Sequence, residues 1–472
     1  MMPLELEAPA SNYDTEEIWR KDRDHFLHPW THFDSFRKEG SLVVAEGSGA
    51  YIIDSRGKRY LDGIGSLWSM GIGYGRNEMA DAIAEQVRRL PFFNTFVDTT
   101  NPPAAELAAK LAELAPGSLN RVAFACTGSD ANDTAVRLTH YYHARRGKPQ
   151  KRHIISRKDA YHGSTYLGMS LTGRSSDRSS QFHYITDIVH HVSSPYVYRR
   201  PEGMTPEQFC DFLVSELEQK ILELGPENVA AFIAEPILGA GGVLVPPLGY
   251  HNRTRELCRK HDMLYISDEV VTAFGRVGHW FASQDVFGIE PDIIVTAKGI
   301  SSGYVPLAAT IFSDAVYDVI GAPDPDAWFT HGFTYSGHPV ACVAGLKNIE
   351  IMEREDICGH VRKVGPYLEK RLRDLYSLPI VGDVRGRNFM MCTEYVADKK
   401  TKAVFGEGVA IGKRISNYCE ELGLIVRPLE HLNIMSPPLI LTEAQVDELV
   451  DKLEAGIRAT VDSLVRDGHR IG

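Results

Sequence analysis

The sequence predicts an α/β protein with a mostly parallel sheet flanked by helices, joined to a smaller α/β region. From about residue 80 onward, apolar runs alternate with stretches of helical periodicity, which is typical of a parallel sheet covered by helices. Strands buried on both faces are near-continuous apolar runs of this kind. The runs cover residues 122–126, 153–156, 229–235, 263–268, 292–297 and 307–312.

The flanking regions complete this prediction. Residues 42–62 alternate short β-type runs with turn signals and predict an antiparallel meander, whereas the glycine-rich residues 63–78 lack a G-x-G-x-x-G spacing and predict a loop. Capping boxes that begin at Thr205 and Thr442 mark two amphipathic helices. We expect an N-terminal segment (1–70) that joins the small domain, a large domain (71–339) and a small C-terminal domain (340–472) in which runs at 379–384 and 424–427 are β-like.

Length and composition limit the classes of function. At 472 residues, with 43% hydrophobic and 24% charged residues, the chain reads as a globular protein of two or three domains. A net charge of −11 argues against a nucleic-acid or acidic-membrane partner. The seven cysteines form no C-x-x-C pair, which suits a reducing compartment better than a disulfide or zinc framework. We therefore predict no metal site.

The N-terminus and the hydropathy pattern predict a cytoplasmic protein. The first residues are polar and acidic, unlike a secretory signal or an arginine-rich transit peptide. No apolar run approaches the length that crosses a bilayer, so we expect no membrane partner.

Two charged residues stand at the ends of apolar runs. Asp268 follows residues 263–266 and Lys298 follows residues 293–297. Chemistry in parallel sheets gathers just past the carboxyl ends of strands, and a lysine with poor access to water has the lowered pKa that a Schiff-base amine needs. A carboxylate nearby could keep a pyridinium nitrogen protonated, the other requirement of pyridoxal phosphate chemistry. The alternatives are a helix-capping aspartate and a solvated lysine.

A candidate phosphate cradle follows the run at 122–126. There Gly128 and Ser129 open a predicted helix that extends to about residue 145. Helix N-termini present free N–H groups to anions, and glycine permits their close approach. The alternative is that Ser129 only caps the helix.

Six segments together resemble the class III (ω-amino acid and amine:pyruvate) aminotransferases. They are CTGSDAND, SRKDAYHGST, AEPILGAGG, SDEVVTAFGR, TAKGISSGYVP and HGFTYSGHP, in this order, within a likeness that runs from about residue 40 to 460. The resemblance implies the fold-type I architecture of transferases that depend on pyridoxal 5′-phosphate. It also implies a homodimer with shared active sites, with a tetramer as the alternative.

The resemblance also implies roles around the cofactor. Lys298 matches the Schiff-base lysine that also shuttles a proton, and Asp268 matches the partner of the ring nitrogen. Val270 and Tyr161 match the residues that contact the two ring faces, while His162 is expected to support Asp268.

The phosphate and substrate positions follow from the same resemblance. Gly128 and Ser129 match the phosphate cradle, and Thr334 matches a hydroxyl that reaches the phosphate from the neighbouring subunit. Glu235 and Arg427 match a pair in which the arginine either bridges the glutamate or grips a substrate carboxylate. The aromatic residues of the amine-side pocket are matched by Trp68 and by Phe92 or Phe96.

The resemblance implies an aminotransferase that moves an amino group from a primary amine or ω-amino acid to pyruvate by a ping-pong mechanism. Val271 stands where the 4-aminobutyrate and ornithine enzymes carry glutamine, which favours the amine:pyruvate branch. A decarboxylase or aminomutase of the same fold is the alternative, followed by a non-catalytic binding protein. The donor stays open among taurine, β-alanine, diamines and aralkyl amines.

Overall fold

The computed structural model describes residues 13–469, over which the chain forms fifteen strands and fifteen α-helices. The strands are β1 (Val44–Ser48), β2 (Tyr51–Asp54), β3 (Arg59–Asp62), β4 (Leu119–Ala125), β5 (His153–Arg157), β6 (Val189–Val192), β7 (Val229–Ala234), β8 (Leu264–Asp268), β9 (Ile293–Thr296), β10 (Ala308–Ser313), β11 (Val381–Arg387), β12 (Met390–Tyr395), β13 (Leu424–Ile425), β14 (Arg427–Leu429) and β15 (Leu432–Met435). The helices are α1 (Thr15–His25), α2 (Phe33–Glu39), α3 (Gly65–Trp68), α4 (Asn77–Arg89), α5 (Pro102–Leu114), α6 (Gly128–Arg145), α7 (Tyr166–Leu171), α8 (Pro206–Leu224), α9 (Tyr250–Lys260), α10 (Ala282–Asp285), α11 (Asp314–Ile320), α12 (Pro339–Arg354), α13 (Ile357–Asp374), α14 (Ile411–Glu421) and α15 (Glu443–Arg466).

A seven-stranded sheet with the order β4-β10-β9-β8-β7-β5-β6 is the centre of the large region. Strands β6, β5, β7, β8 and β9 pair in parallel, and β10 runs antiparallel between β9 and β4. Strands β7 to β10 are buried along their whole length, as the continuous apolar runs predict. The predicted α/β class and mostly parallel sheet are thus confirmed.

Strand β6 was missed from the sequence. Its residues read VHHV, and the two histidines break the apolar run that identifies the other strands. The strand lies at the edge of the sheet, beside β5 only. Since an edge strand has one side open to solvent, half-exposed imidazoles are tolerated there, and the sequence carries no apolar signal for it.

Both predicted capping boxes are present in the structure. Thr205 and Gln208 cap α8, and Thr442 and Gln445 cap α15, each with reciprocal side-chain to backbone hydrogen bonds. These bonds satisfy N–H groups that a helix start leaves without partners. Among the apolar residues of α8, Phe212 is 41% exposed.

Two smaller sheets lie outside the central one. The predicted meander forms β1, β2 and β3, and β3 pairs in parallel with β13 from the C-terminal region. The second sheet has the order β11-β12-β15-β14. Residues 63–78 contain the irregular four-residue α3, with Ser66 at φ 59°, where the sequence predicts only a loop. The division of the chain at residues 70 and 339 stays a prediction.

The structure describes neither end of the chain, and it tests the prediction that no helix crosses a membrane. The stretch 1–12, in which the sequence predicts no targeting signal, lies outside the described residues, as do residues 470–472. Between residues 13 and 469, no helix combines the length and apolar composition that crossing a bilayer requires.

Candidate active site

A cavity of about 580 Å³ lies at the carboxyl ends of β8 and β9, beside the N-terminus of α6. Asp268 and Lys298, which the sequence places at two strand ends, both line it. Strands β8 and β9 are neighbours in parallel register, so residues that follow them meet at one edge of the sheet. The same cavity is lined by Trp68 from α3, by Tyr161 from the loop after β5 and by Glu235 after β7.

Asp268 is a buried carboxylate held by three donors. Its Oδ2 accepts from Asn132 Nδ2 at 2.8 Å and lies 2.7 Å from His162 Nδ1, while its Oδ1 accepts from the Val270 amide at 3.1 Å. Burial alone would raise the pKa of Asp268, but the hydrogen bonds from His162 and Asn132 hold it below its usual value. The group therefore carries a negative charge inside the cavity at neutral pH.

Asn132 is a site residue that the sequence analysis missed. It lies on α6 one turn after Gly128, and its Nδ2 also donates to the carbonyl of His162 at 3.0 Å. One amide therefore fixes both the carboxylate and the loop that carries His162. No local sequence pattern marks Asn132, because only the packing of α6 against the sheet shows that this polar side chain is buried and needs partners.

Lys298 follows β9 and opens a short 3₁₀ turn, Lys298–Ser301, with φ 47°. Its Nζ lies 6.0 Å from the ring centroid of Trp68 and has no hydrogen bond or ion pair to any residue between 13 and 469. Burial lowers the pKa of Lys298, although the carboxylates of Asp268 and Glu235 favour its charged form. A lysine in this setting supplies a neutral amine more readily than a surface lysine does.

The turn that presents Lys298 also depends on its neighbour. A Cβ at position 299 would lie 2.9 Å from the Cβ of Phe274, closer than side-chain carbons pack. Gly299 thus lets the backbone after the lysine approach the buried Phe274. This contact places the lysine close to the sheet edge.

The N-terminus of α6 forms one wall of the cavity. Thr127 caps this helix, because its Oγ1 accepts from the Asp130 amide at 3.3 Å. Ser129 therefore does not act as the cap, and its Oγ accepts from the Ser164 amide at 3.0 Å instead. The first N–H groups of a helix have no intrahelical partner, so this wall offers donors to an anion.

Glycines bring three chain segments together at this wall. A Cβ on Gly128 would lie 3.0 Å from a methyl group of Val270. Gly163 has φ 120°, and a Cβ there would lie 2.5 Å from Ser129 Oγ. Val270 from the β8 end and the 161–164 loop therefore both press against the start of α6. An anion cradle, a lysine without a hydrogen-bond partner among the described residues and a buried acid meet in one cavity, and this set of groups fits a phosphorylated pyridine.

Tyr161 and Glu235 are linked on the opposite side. The Glu235 side chain accepts from the Tyr161 amide at 3.1 Å and from the Gly239 amide at 2.8 Å. Burial raises the pKa of Glu235, and burial also raises the pKa of the Tyr161 hydroxyl. The tyrosine hydroxyl lies 3.0 Å from Ser164 Oγ. The carboxylate is therefore occupied by backbone donors and orients the loop that carries Tyr161.

Arg427 opens β14 with its guanidinium carbon 5.4 Å from the Trp68 ring centroid. Its side chain forms no ion pair and no hydrogen bond with any of residues 13–469, so the bridge to Glu235 that the resemblance implies as one of two states is absent. Burial lowers the pKa of Arg427, and the neighbouring Arg174 adds to this effect. Arg427 is thus a half-buried cation beside the cavity with its donors unused.

Three predicted residues lie outside the cavity of the single chain. Phe96 is 48% exposed, and Thr334 is also exposed. Phe92 packs against Tyr335 and His338, with ring centroids 5.2 Å from each. The structure therefore does not bring these three residues to Lys298 and Asp268 within one chain.

Arg157 is a second residue that the sequence did not reveal. It is fully buried at the end of β5, and its Nη2 donates to the Glu235 carbonyl at 2.6 Å. No carboxylate among residues 13–469 pairs with it. Because its positive charge lies behind Glu235, it opposes the effect of burial on the pKa of that carboxyl. An arginine that ends an apolar strand gave no signal, since most arginines are solvated.

Comparisons with known proteins place this geometry in a family. Residues 35–457 match the sequence model described as Aminotransferase class-III. The putrescine–pyruvate aminotransferase of Pseudomonas aeruginosa is 42% identical over 446 residues, which are 94% of this chain and 96% of that protein. The diaminobutyrate–2-oxoglutarate transaminase of Halomonas elongata is 38% identical over 465 residues, 96% of this chain and 98% of that protein.

Solved structures of omega-transaminases have the same fold as this chain. A thermostable (S)-enantioselective omega-transaminase from Thermomicrobium roseum has a TM-score of 0.92 at 41% identity and covers 95% of this chain and 99% of its own. The omega transaminase from Pseudomonas jessenii in complex with PMP has a TM-score of 0.92 at 38% identity, over 94% and 98% of the two chains.

Proposed function

The chain belongs to the class III aminotransferases, which depend on pyridoxal phosphate, and from that premise we propose that it moves the amino group of a primary amine or ω-amino acid to pyruvate in two half-reactions. The observation that carries this proposal is Arg427, a cation beside the aromatic wall of Trp68 that forms no ion pair with any described residue. A guanidinium with free donors can bind the carboxylate of a keto acid. The aromatic wall suits the uncharged part of an amine donor.

The residues around the cavity would hold the cofactor at both ends of its ring. Gly128 and Ser129 at the start of α6 would bind its phosphate, and Asp268 would face its ring nitrogen. Val270 and Tyr161 would contact the two ring faces. When bound, the cofactor supplies an electron sink for the bond that breaks at the amine-bearing carbon.

Lys298 has two assignments in this proposal. Its neutral Nζ would bond the cofactor between turnovers and, once released, would take the proton from the carbon that bears the donor's amino group. Burial supports both tasks, because it lowers the pKa of the amine toward neutral pH. His162 and Asn132 would keep Asp268 ionised and in place throughout.

A shared site between two copies of the chain is part of the proposal. The predicted residue Phe96 is exposed, and so are three further aromatic side chains near the predicted residues in the sequence: Phe93, Trp328 and Tyr335. Large exposed apolar surfaces mark interfaces. In a homodimer, Thr334 and the Phe92–Phe96 segment would reach the partner's cavity. The seven free thiols suit the reducing cytoplasm, where we place the enzyme.

A donor panel tests the function. Purified holoenzyme is incubated with pyruvate and putrescine, β-alanine, taurine or 1-phenylethylamine, and alanine and the carbonyl product are measured separately. We expect at least one donor to give the two products in equal amounts. Carbon dioxide release without alanine would instead indicate a decarboxylase, and an isomeric amine without alanine would indicate an aminomutase.

Arg427→Ala separates the two substrates. We expect the KM for pyruvate to rise roughly 30- to 150-fold, because a hydrogen-bonded carboxylate loses about 2–3 kcal/mol. The KM for an amine donor that has no carboxylate should change less than about threefold. Arg427→Lys keeps the charge without the planar fork and should give an intermediate loss. Equal losses for pyruvate and amine would show that Arg427 supports the cavity without gripping the carboxylate.

A further inference from the structure

A second arginine, Arg174, lies near Arg427, and we call the charged cluster that these two form with Asp177 and Glu430 beside the cavity the mouth. Arg174, after α7, is largely buried, with 14% of its side chain exposed, and its Nη2 lies 3.5 Å from the carboxylate of Glu430. Glu430 belongs to the turn between β14 and β15, three residues after Arg427. Burial lowers the pKa of Arg427, and the positive charge of Arg174 lowers it further.

The two arginines differ in their counter-charges. Arg174 Nη1 donates to Asp177 Oδ1 at 2.9 Å, and the Asp177 side chain is only 4% exposed. Arg427 forms no ion pair with an acid among residues 13–469, although the more distant charge of Asp177 also favours its charged form. The four charged groups at the mouth are therefore two cations and two acids, but both acids face Arg174. The Arg174 guanidinium is thus neutralised by two ion pairs, whereas the Arg427 guanidinium has none with the described residues.

Asp177 is also tied to the wall of the cavity. Its Oδ1 accepts from Trp30 Nε1 at 3.4 Å, and the Trp30 ring packs edge-on against Tyr161 with centroids 5.9 Å apart. The carboxylate is thus fixed close to the side chain that lines the cavity opposite Val270. It has little freedom to leave Arg174 when a substrate arrives.

We propose that Asp177 determines the acceptor class by neutralising Arg174, so that the cavity binds keto acids with one carboxylate and disfavours those with two. This inference rests on the proposed function. A dicarboxylic acceptor brings a second charge into a partly buried space, where an unpaired charge is costly. Asp177 would in addition repel that second carboxylate.

Asp177→Asn tests the inference, because it removes the charge and keeps the side-chain size and the acceptor for Trp30. We expect the ratio of kcat/KM for 2-oxoglutarate to that for pyruvate to rise at least about tenfold, with the value for pyruvate within about threefold of wild type. Succinate and propionate are unreactive acids with two carboxylates and one. In Asp177→Asn holoenzyme, the affinity for succinate relative to that for propionate, measured by calorimetry, should also rise.

Three further variants make the result specific. Asp314→Asn removes an exposed acid paired with Arg121 far from the mouth and should change neither ratio. Adding Arg174→Gln to Asp177→Asn should reverse the gain, because the freed cation is then gone. Arg174→Gln alone leaves Asp177 uncompensated and should strengthen the bias against dicarboxylates several-fold. This last variant tests the inference even if Asp177→Asn does not fold.

The outcomes distinguish this inference from the proposed function. A wild-type enzyme that uses 2-oxoglutarate as well as pyruvate would overturn the inference, as would a folded Asp177→Asn enzyme with an unchanged ratio. Neither result would contradict the proposed transamination with pyruvate. If the wild type formed no alanine from pyruvate, the proposed function would fail, while the binding of succinate and propionate would still report on the charge balance at the mouth.

Discussion

Lys298→Ala is expected to abolish transamination, with kcat lower by on the order of 10⁵-fold or more, the scale of loss seen when a nucleophile is removed from a catalytic unit. Among the described residues that line the cavity, Lys298 is the one lysine, so no other amine can take its place. The variant should also lose the visible absorbance of a lysine-bound cofactor. Borohydride treatment followed by mass spectrometry should add the cofactor's mass to the wild-type chain and not to the variant.

The variant should remain folded, which keeps the experiment interpretable. The Lys298 side chain makes no hydrogen bond or ion pair with residues 13–469, and its burial disfavours its charged form. Removing it therefore breaks no network, and the melting temperature of the apoprotein should stay the same or rise. Lys347→Ala on α12, which removes a surface ion pair with Glu350, is the matched control and should keep full activity. Measurable turnover in Lys298→Ala would rule out its proposed role.

The sequence predicted the site wherever its signal was local. An apolar run followed by one charge identified the ends of β8 and β9, and register in a parallel sheet then brought Asp268 and Lys298 together. The start of α6 was predicted in the same way, although the structure assigns the cap to Thr127 and leaves Ser129 to bond Ser164. Short-range sequence patterns are enough to predict that two residues lie together when neighbouring parallel strands carry them.

Other parts of the site depend on contacts that no local pattern records. The sequence could not show that two backbone amides occupy Glu235, nor that Arg427 consequently stands free of it. Asn132 and Arg157 gave no signal, because only the packing of helix against sheet decides whether a polar residue is buried. Phe96 and Thr334 are exposed in one chain, so their proposed roles need a second copy.

Asp268→Asn is expected to lower kcat by roughly two to three orders of magnitude. Removing one partner of a buried charge pair costs about 3–4 kcal/mol, and each 1.36 kcal/mol in the barrier is tenfold in rate. Asparagine preserves the shape of the side chain, so the loss should come from the charge. Because hydrogen bonds from His162 and Asn132 hold the pKa of Asp268 below its usual value despite burial, the wild-type carboxylate stays ionised at neutral pH.

The pH dependence and a matched variant make this prediction decisive. A neutral asparagine cannot be ionised, so the loss in Asp268→Asn should persist across a profile from about pH 6 to 10, because the wild-type residue stays charged throughout. Asp292→Asn removes a second carboxylate beside the same sheet. Asp292 does not line the cavity, and its Oδ1 lies 2.7 Å from Arg255 Nη2. That variant should lower the melting temperature and leave kcat near wild type. If both variants lost the same fraction of activity, the charge of Asp268 would matter only for folding; if Asp268→Asn alone kept wild-type kcat, the ring nitrogen would need no acid partner in this protein.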